Sequence, residues 1–364
     1  MKIANVSVSN VWGEVVPDAL ERGIGGREGA MLYLSKEWAK SGHEVSNFTN
    51  VSKGQRHYEG RGFHEYIPSN MTKNSLYNYP WDVVIAWECP SVFAEPEIAE
   101  NIKIRMTEMQ CADFPDDREM EAAALPDNYV ATLSEWHKGY LISRGLETSP
   151  EDILVFPNGV DIERFPRKEK LLKKPWRFIY SSSPDRGLWN LLKVWPKIRQ
   201  LDSEAELVVT YGVKKWVESL KWSHGRQGEM AIEIERLMRQ EGVVDFGKVG
   251  QRQLAKLLQS AVAWLYPLDA IQATETGCIT AIENMAAGNP VLTTDCDCME
   301  DEFSGCGIII PLPFDEDQFV DAVNFVLTNE TAYNTLQQQG YDFAAKRDWR
   351  VISKQWENFF LTKL

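Results

Sequence analysis

One pattern runs through this chain of 364 residues twice, with a break between the copies. A short apolar stretch of the length of a buried strand is followed by a glycine- or serine-rich turn, then by a helical apolar face. Such alternation buries a mostly parallel sheet beneath helices on both sides. The first copy opens at residues 2–9, turns through Gly23-Ile24-Gly25-Gly26 and continues in a helix with Met31, Leu34 and Trp38 on one face. The second opens at residues 176–181, turns through Ser182, Ser183, Asp185, Arg186 and Gly187, and continues in a helix with Leu188, Leu191, Leu192 and Trp195 inward. Residues 167–174 are charged and lack an apolar face, which suits a linker. The length also exceeds what one core holds, on a prior of roughly 100–200 residues per domain. The expected fold is α/β, with two Rossmann-like doubly wound domains facing a cleft: residues 1–166, a linker at 167–174, and residues 175–345. Residues 346–364 form a last amphipathic helix, which fits either domain and is able to cross back to the first.

Charge narrows the partners. A formal net charge of −14 argues against nucleic acid and against broad contact with anionic lipid, while leaving room for a local basic patch. No apolar run approaches the roughly 18 residues of a membrane span. The chain opens on a strand-like run rather than a signal peptide, and its six cysteines are scattered, so reduced thiols and a cytoplasmic location are expected.

The chemistry concentrates in residues 273–290, Ala-Thr-Glu-Thr-Gly-Cys-Ile-Thr-Ala-Ile-Glu-Asn-Met-Ala-Ala-Gly-Asn-Pro. They read as a loop, an apolar helix, and a stop at Gly288 and Pro290. Thr276 is placed to cap the helix. If both are helical, Glu275 and Glu283 stand roughly 12 Å apart along the axis. The first-turn amides between them, near Thr276, Gly277 and Cys278, attract anions. Hydroxyls, a diphosphate and a ribose fit that order of groups, which describes a nucleotide sugar. The helix alone also fits a core helix carrying a Glu at each end.

The spacing of Glu275 and Glu283, followed by a small-residue run and Gly-Asn-Pro-Val, resembles the signature of retaining glycosyltransferases of the GT-B fold (group 1, family 4-like). The resemblance implies that Glu275 meets the transferred sugar and Glu283 holds the ribose hydroxyls. Gly25 and Gly26 are similar to the family's Gly-Gly-x-Glu loop, where the backbone approaches the donor phosphate. Arg186-Gly187 matches a Lys-Gly position that neutralises the diphosphate, and Ser182 or Ser183 stands where a second basic residue is common. Gly247 and Lys248 fall where relatives border the base. Many relatives carry a sugar-contacting His after the strand at residues 101–107; here Glu108 and Gln110 are the polar groups available. Residues 156–161, Phe-Pro-Asn-Gly-Val-Asp, resemble the segment on the hinge side.

Other features read as structural. His43 sits at a surface turn, His137 on a helix, and residues 52–80 and 213–228 look loop-like despite Trp216 and Trp222. Asp295-Cys296-Asp297 echoes a metal motif of a different transferase fold but falls in an ordinary loop. The expected function is metal-independent glycosyl transfer, without a cofactor, from a UDP-, GDP- or ADP-sugar to an unidentified sugar, glycan, lipid or protein acceptor. A sugar-nucleotide epimerase and a non-catalytic sugar-nucleotide binder remain as alternatives.

Overall fold

A computed structural model of the chain describes residues 1–8, 13–167, 173–223, 225–269 and 272–364. The end of the first expected strand at Ser9, and residues 168–172 of the expected linker, lie outside the described residues. The chain divides into two compact units. One comprises Met1–Leu20, Ile24–Gly159 and Arg347–Leu364, the other Glu21–Gly23 and Val160–Lys346.

Among the described residues, the first unit carries eight strands: β1 (Lys2–Val6), β2 (Glu44–Thr49), β3 (Gln55–Glu59), β4 (Gly62–Pro68), β5 (Trp81–Trp87), β6 (Ile102–Glu108), β7 (Asn128–Thr132) and β8 (Ile153–Val155). They lie in the order β3-β4-β2-β1-β5-β6-β7-β8, parallel except for β3 at the edge. Ile3, Val83, Val84, Ile85, Ile104 and Met106 are almost wholly buried, as expected of strands covered on both faces. The helix Gly26–Lys40 lays Met31, Leu34 and Trp38 onto the sheet.

The final helix, Trp349–Lys363, belongs to this unit. Its Trp356 stacks on Phe156 at 4.3 Å between ring centroids, and Ser353 accepts a bond from the Trp38 indole at 3.2 Å. Gly159 makes the junction tight. A Cβ there would lie 2.7 Å from the Trp349 ring, so the Pro-Asn-Gly turn needs its glycine for close approach. His43 is buried beneath the same helix, with Nε2 2.9 Å from Glu357, rather than on the surface.

Residues 52–80 are more regular than the sequence implies, holding the β3–β4 hairpin and the helix Thr72–Asn78. In β4 the inward positions are Gly62, His64 and Tyr66, so the two-residue period is carried by residues that do not read as apolar.

The second unit, among its described residues, has six parallel strands: β9 (Arg177–Tyr180), β10 (Glu206–Val209), β11 (Val243–Asp245), β12 (Ala263–Tyr266), β13 (Val291–Thr294) and β14 (Gly307–Ile310). Their order is β11-β10-β9-β12-β13-β14. The direction of winding reverses between β9 and β12, and ligands of such sheets bind beyond the carboxyl ends of the strands at that reversal. Residues 213–228 are not a loop: two helices, Val213–Leu220 and Arg226–Leu237, occupy most of the stretch. The inward face of the first is only Val213 and Val217, too few to stand out in a polar sequence.

Candidate functional site

The reversal point of the second sheet is where three of the predicted groups, Ser182, Arg186 and Glu275, converge. After β9 the chain turns through Ser181–Ser183 into the short turn Pro184–Arg186, then starts a helix at Leu188. Gly187 has φ of +143° and lies against the Pro267–Leu268 backbone, where a Cβ would come within 3.2 Å of the Pro267 carbonyl. That contact ties the turn after β9 to the end of β12. It aims the Arg186 guanidinium at Glu275, with Nη1 to Oε1 at 2.9 Å. Tyr266, the last residue of β12, donates to the same carboxylate oxygen at 2.5 Å, and Ser182 Oγ lies 3.2 Å from the Tyr266 hydroxyl. Burial, with the Glu275 charge adding to it, pushes the Tyr266 pKa upward and keeps it a phenol able to donate. Ser183 contributes its backbone, since its carbonyl accepts from Tyr180 at 2.6 Å.

Arg186 and Glu275 form an asymmetric pair. The carboxylate is almost fully buried, whereas the guanidinium side chain retains 36% of its exposure. One edge of the guanidinium is engaged, and the remaining N–H donors can take a second anion.

The Glu275 loop is held from behind. Asp297 Oδ2 accepts from the amides of Thr274 at 2.8 Å and Glu275 at 3.0 Å, and the Cys298 amide donates to the Glu275 carbonyl at 3.3 Å. These bonds pin residues 274–277 as a loop, which corrects the expected cap. The helix spans Ile279–Ala286, and Cys278, the residue before it, makes no side-chain cap bond. Thr276 is buried in the loop rather than capping, and Glu275 and Glu283 do not lie on one helix. Asp295 is likewise occupied, accepting from the Leu312 amide at 2.9 Å. The two acids of the Asp-x-Asp stretch therefore hold backbone.

Glu283 occupies the second turn of the Ile279–Ala286 helix and is buried. Its partner is Arg164, with Nη1 to Oε1 at 2.8 Å; Arg164 also donates to the Gln251 carbonyl at 3.1 Å. Sequence reasoning missed Arg164. It lies just after the Phe-Pro-Asn-Gly-Val-Asp run, but nothing local marks a pairing across 119 positions. Gly247 and Lys248 follow β11, at the far edge of the sheet from the Arg186–Glu275 pair. Gly247 has φ of +68°, its amide donates to Asp245 at 2.8 Å, and the backbone at Lys248 lies against Gly212 after β10.

The first unit gathers its own charged groups at strand ends. Gly25 precedes the Gly26–Lys40 helix with no side-chain cap, and Gly26 is its first residue. Arg27 bonds Glu28 at 3.0 Å and pairs with Glu88, just past β5. Glu88 Oε1 in turn accepts from the amides of Gln110 at 3.3 Å and Cys111 at 2.8 Å. Glu108, the last residue of β6, is buried and accepts from the Gln110 side-chain Nε2 at 2.7 Å. Gln110 also bonds Asn158 at 3.2 Å, which ties the turn after β6 to the Pro-Asn-Gly turn. Burial pushes the Glu108 carboxyl up to about 8; the Gln110 bond opposes this and the Glu88 charge reinforces it. His137 is buried, and burial lowers its pKa to about 4, so it is a neutral structural residue near neutral pH. Ser134 caps the helix that carries it, accepting from the His137 amide at 3.1 Å.

A family model described as glycosyl transferases group 1 matches residues 161–343, half of the chain. The chain is a member of that family. This glycosyltransferase is also similar in structure to sucrose-phosphate synthase from Thermosynechococcus elongatus, at 17% identity and a TM-score of 0.74, covering 99% of this chain and 98% of that one. HepE from Anabaena, in complex with UDP and glucose, matches at 14% identity and a TM-score of 0.71, covering 100% of both chains. WaaG, a glycosyltransferase involved in lipopolysaccharide biosynthesis, matches at 15% identity and a TM-score of 0.65, covering 99% of both. At these identities the likeness establishes the fold, which is GT-B. No protein in the curated comparison matches the glycosyltransferase by sequence.

Proposed function

We propose that the glycosyltransferase moves a hexosyl group from a nucleoside-diphosphate sugar to an acceptor hydroxyl, with retention at the anomeric carbon and without a metal. The observation that carries this reading is the Arg186–Glu275 pair at the sheet reversal, a cation with N–H donors to spare beside a buried, hydrogen-bonded carboxylate. Breaking the bond from the anomeric carbon to the phosphate oxygen leaves charge on the diphosphate. Preorganised donors aimed at that charge are usually the largest catalytic contribution. In our assignment Arg186 supplies them, assisted by backbone amides near Thr276, Gly277 and Cys278 and by the Gly25-Gly26 backbone. Ser182 and Ser183 shape the turn that presents Arg186.

Glu275 orients the sugar hydroxyls, and Glu283, braced by Arg164, holds the ribose. Gly247 and Lys248 border the base. The fixed cation supports metal independence, as does the engagement of Asp295 and Asp297 with backbone amides. The released phosphate oxygen takes the acceptor proton on the face it leaves, so no separate protein base is required. On the acceptor side, half-buried Gln110 is the contacting group and Glu108 positions its amide. UDP is the first nucleotide to test, because HepE is described in complex with UDP and UDP-glucose.

The test is incubation with UDP-, GDP- and ADP-glucose in the presence of EDTA, following nucleotide release and the anomeric configuration of the product by NMR. Release of UDP, GDP or ADP with an α-configured product is expected. An isomerised donor would indicate an epimerase. Thermal stabilisation by these donors without turnover would indicate a binding protein.

A further inference from the structure

The stretch from Val213 to Arg226 is one that the transfer reaction leaves unused. It holds Lys214, Lys215, Lys221 and Arg226 against one acid, Glu218, in a protein of net charge −14. The helix Val213–Leu220 turns Val213 and Val217 inward, which leaves Lys214, Lys215 and Glu218 exposed. Elsewhere many surface cations find carboxylates, as Lys103 does with Asp82 and Lys197 with Glu316 and Asp317. Lys214, Lys215 and Arg226 have no carboxylate partner among the described residues. Trp222 follows the helix at 83% exposure, with the Lys221 ammonium 5.7 Å from its ring centroid.

The residue after the exposed indole is held closely against the next helix. Gly228 packs so closely under Ser223 that a Cβ would lie 2.0 Å from the Ser223 carbonyl, and Gly225 adopts φ of +81°. The two helices of the stretch also pack on one another.

We propose that Lys214, Lys215, Lys221, Arg226 and Trp222 form a docking patch for an anionic phospholipid surface. Charge complementarity is the main argument: in an acidic protein, the four cations between Lys214 and Arg226 outnumber the neighbouring acids Glu218 and Glu229 and give a local place where an anionic surface can approach. The indole supplies the other half, since tryptophan settles at the headgroup level with its apolar body inward and its N–H wet. A protein partner fits less well, because protein interfaces are depleted in lysine at their cores and need surrounding apolar area. Here the indole stands beside the Lys221 side chain. Duplex nucleic acid would meet the same cations, but it offers the exposed indole no apolar layer to enter.

The experiment is flotation of the full chain with vesicles of equal parts phosphatidylcholine and phosphatidylglycerol, beside vesicles of phosphatidylcholine alone. The expected result is capture by the anionic vesicles only, weakening as salt is raised. One basic residue near such a surface contributes about fivefold, so the double substitution Lys214→Ala and Lys215→Ala should weaken capture about 30-fold. Trp222→Ala should weaken it at every salt concentration. All three residues are exposed, so melting temperature and nucleotide release without vesicles should not change. Those two measurements keep this test separate from the test of transfer. Absence of capture, equal capture of the variants, or retention by duplex DNA without capture by vesicles would overturn the proposal.

Discussion

Both units place an arginine among buried carboxylates at the ends of parallel strands, and the two arrangements differ in balance. In the second unit each acid has its own cation: Arg186 with Glu275, Arg164 with Glu283. In the first unit Arg27 is shared by Glu28 and Glu88, and Glu108 lies close enough to feel the Glu88 charge. A balanced pair with one exposed edge can accept a further anion with little rearrangement. A crowded set of acids resolves its excess charge by holding a proton, which is where burial leaves Glu108.

Removing Arg27 should have the largest effect, and it should fall on stability. Arg27→Ala leaves Glu88 and Glu28 buried without their cation, at a cost of roughly 3–5 kcal/mol. Urea unfolding monitored by circular dichroism measures it; a midpoint equal to wild type would mean that the acids of the first unit do not depend on Arg27. The matching change in the second unit should fall on turnover. Arg186→Ala is expected to slow transfer by about 10²–10³-fold with a smaller change in stability, as for loss of a donor to transition-state charge. Steady-state kinetics against the donor decides this, and an unaltered kcat would remove Arg186 from the reaction.

Third in size is the proton on Glu108. Its carboxyl is raised from 4.5 to about 8, so between those values the folded chain keeps a proton that the unfolded chain has released. Folding stability from this group therefore declines as pH rises through that window. Glu108→Gln keeps the shape and removes the titration. Denaturation curves at several pH values should flatten in the variant relative to wild type, and parallel curves would show that Glu108 is ionised throughout.

The smallest expected effect concerns Glu283. Glu283→Ala should weaken nucleoside diphosphate binding by about tenfold through loss of a charge-assisted hydrogen bond. Calorimetric titration with UDP, GDP and ADP reads this directly. Unchanged affinity for all three would detach Glu283 from the ribose.

Much of this was legible in the residues. Among the strands that flank the site, β5 and β12 are largely apolar runs bounded by turn residues, and β6 falls where the strand at residues 101–107 is read. Gly288 stops its helix as read: it has φ of +77°, and a Cβ would lie 2.2 Å from the Tyr341 hydroxyl. The hidden parts share one cause. Thr276 looked like a cap because cap preference is local, but Asp297, about twenty residues on, holds the loop open. The β3–β4 hairpin buries polar and aromatic side chains, and the Val213–Leu220 helix has a two-valine inner face, so periodicity was weak in both.

The sequence by itself determined the two α/β units and the turns that end the strands, because periodicity and turn chemistry act over a few neighbours. Tertiary structure alone decided which charges meet. Arg164 reaches Glu283, Arg27 reaches Glu88 and Tyr266 joins Glu275 only because parallel strands bring their carboxyl ends together from distant parts of the chain. Burial at those ends then sets which acid keeps its proton and which cation keeps an open face.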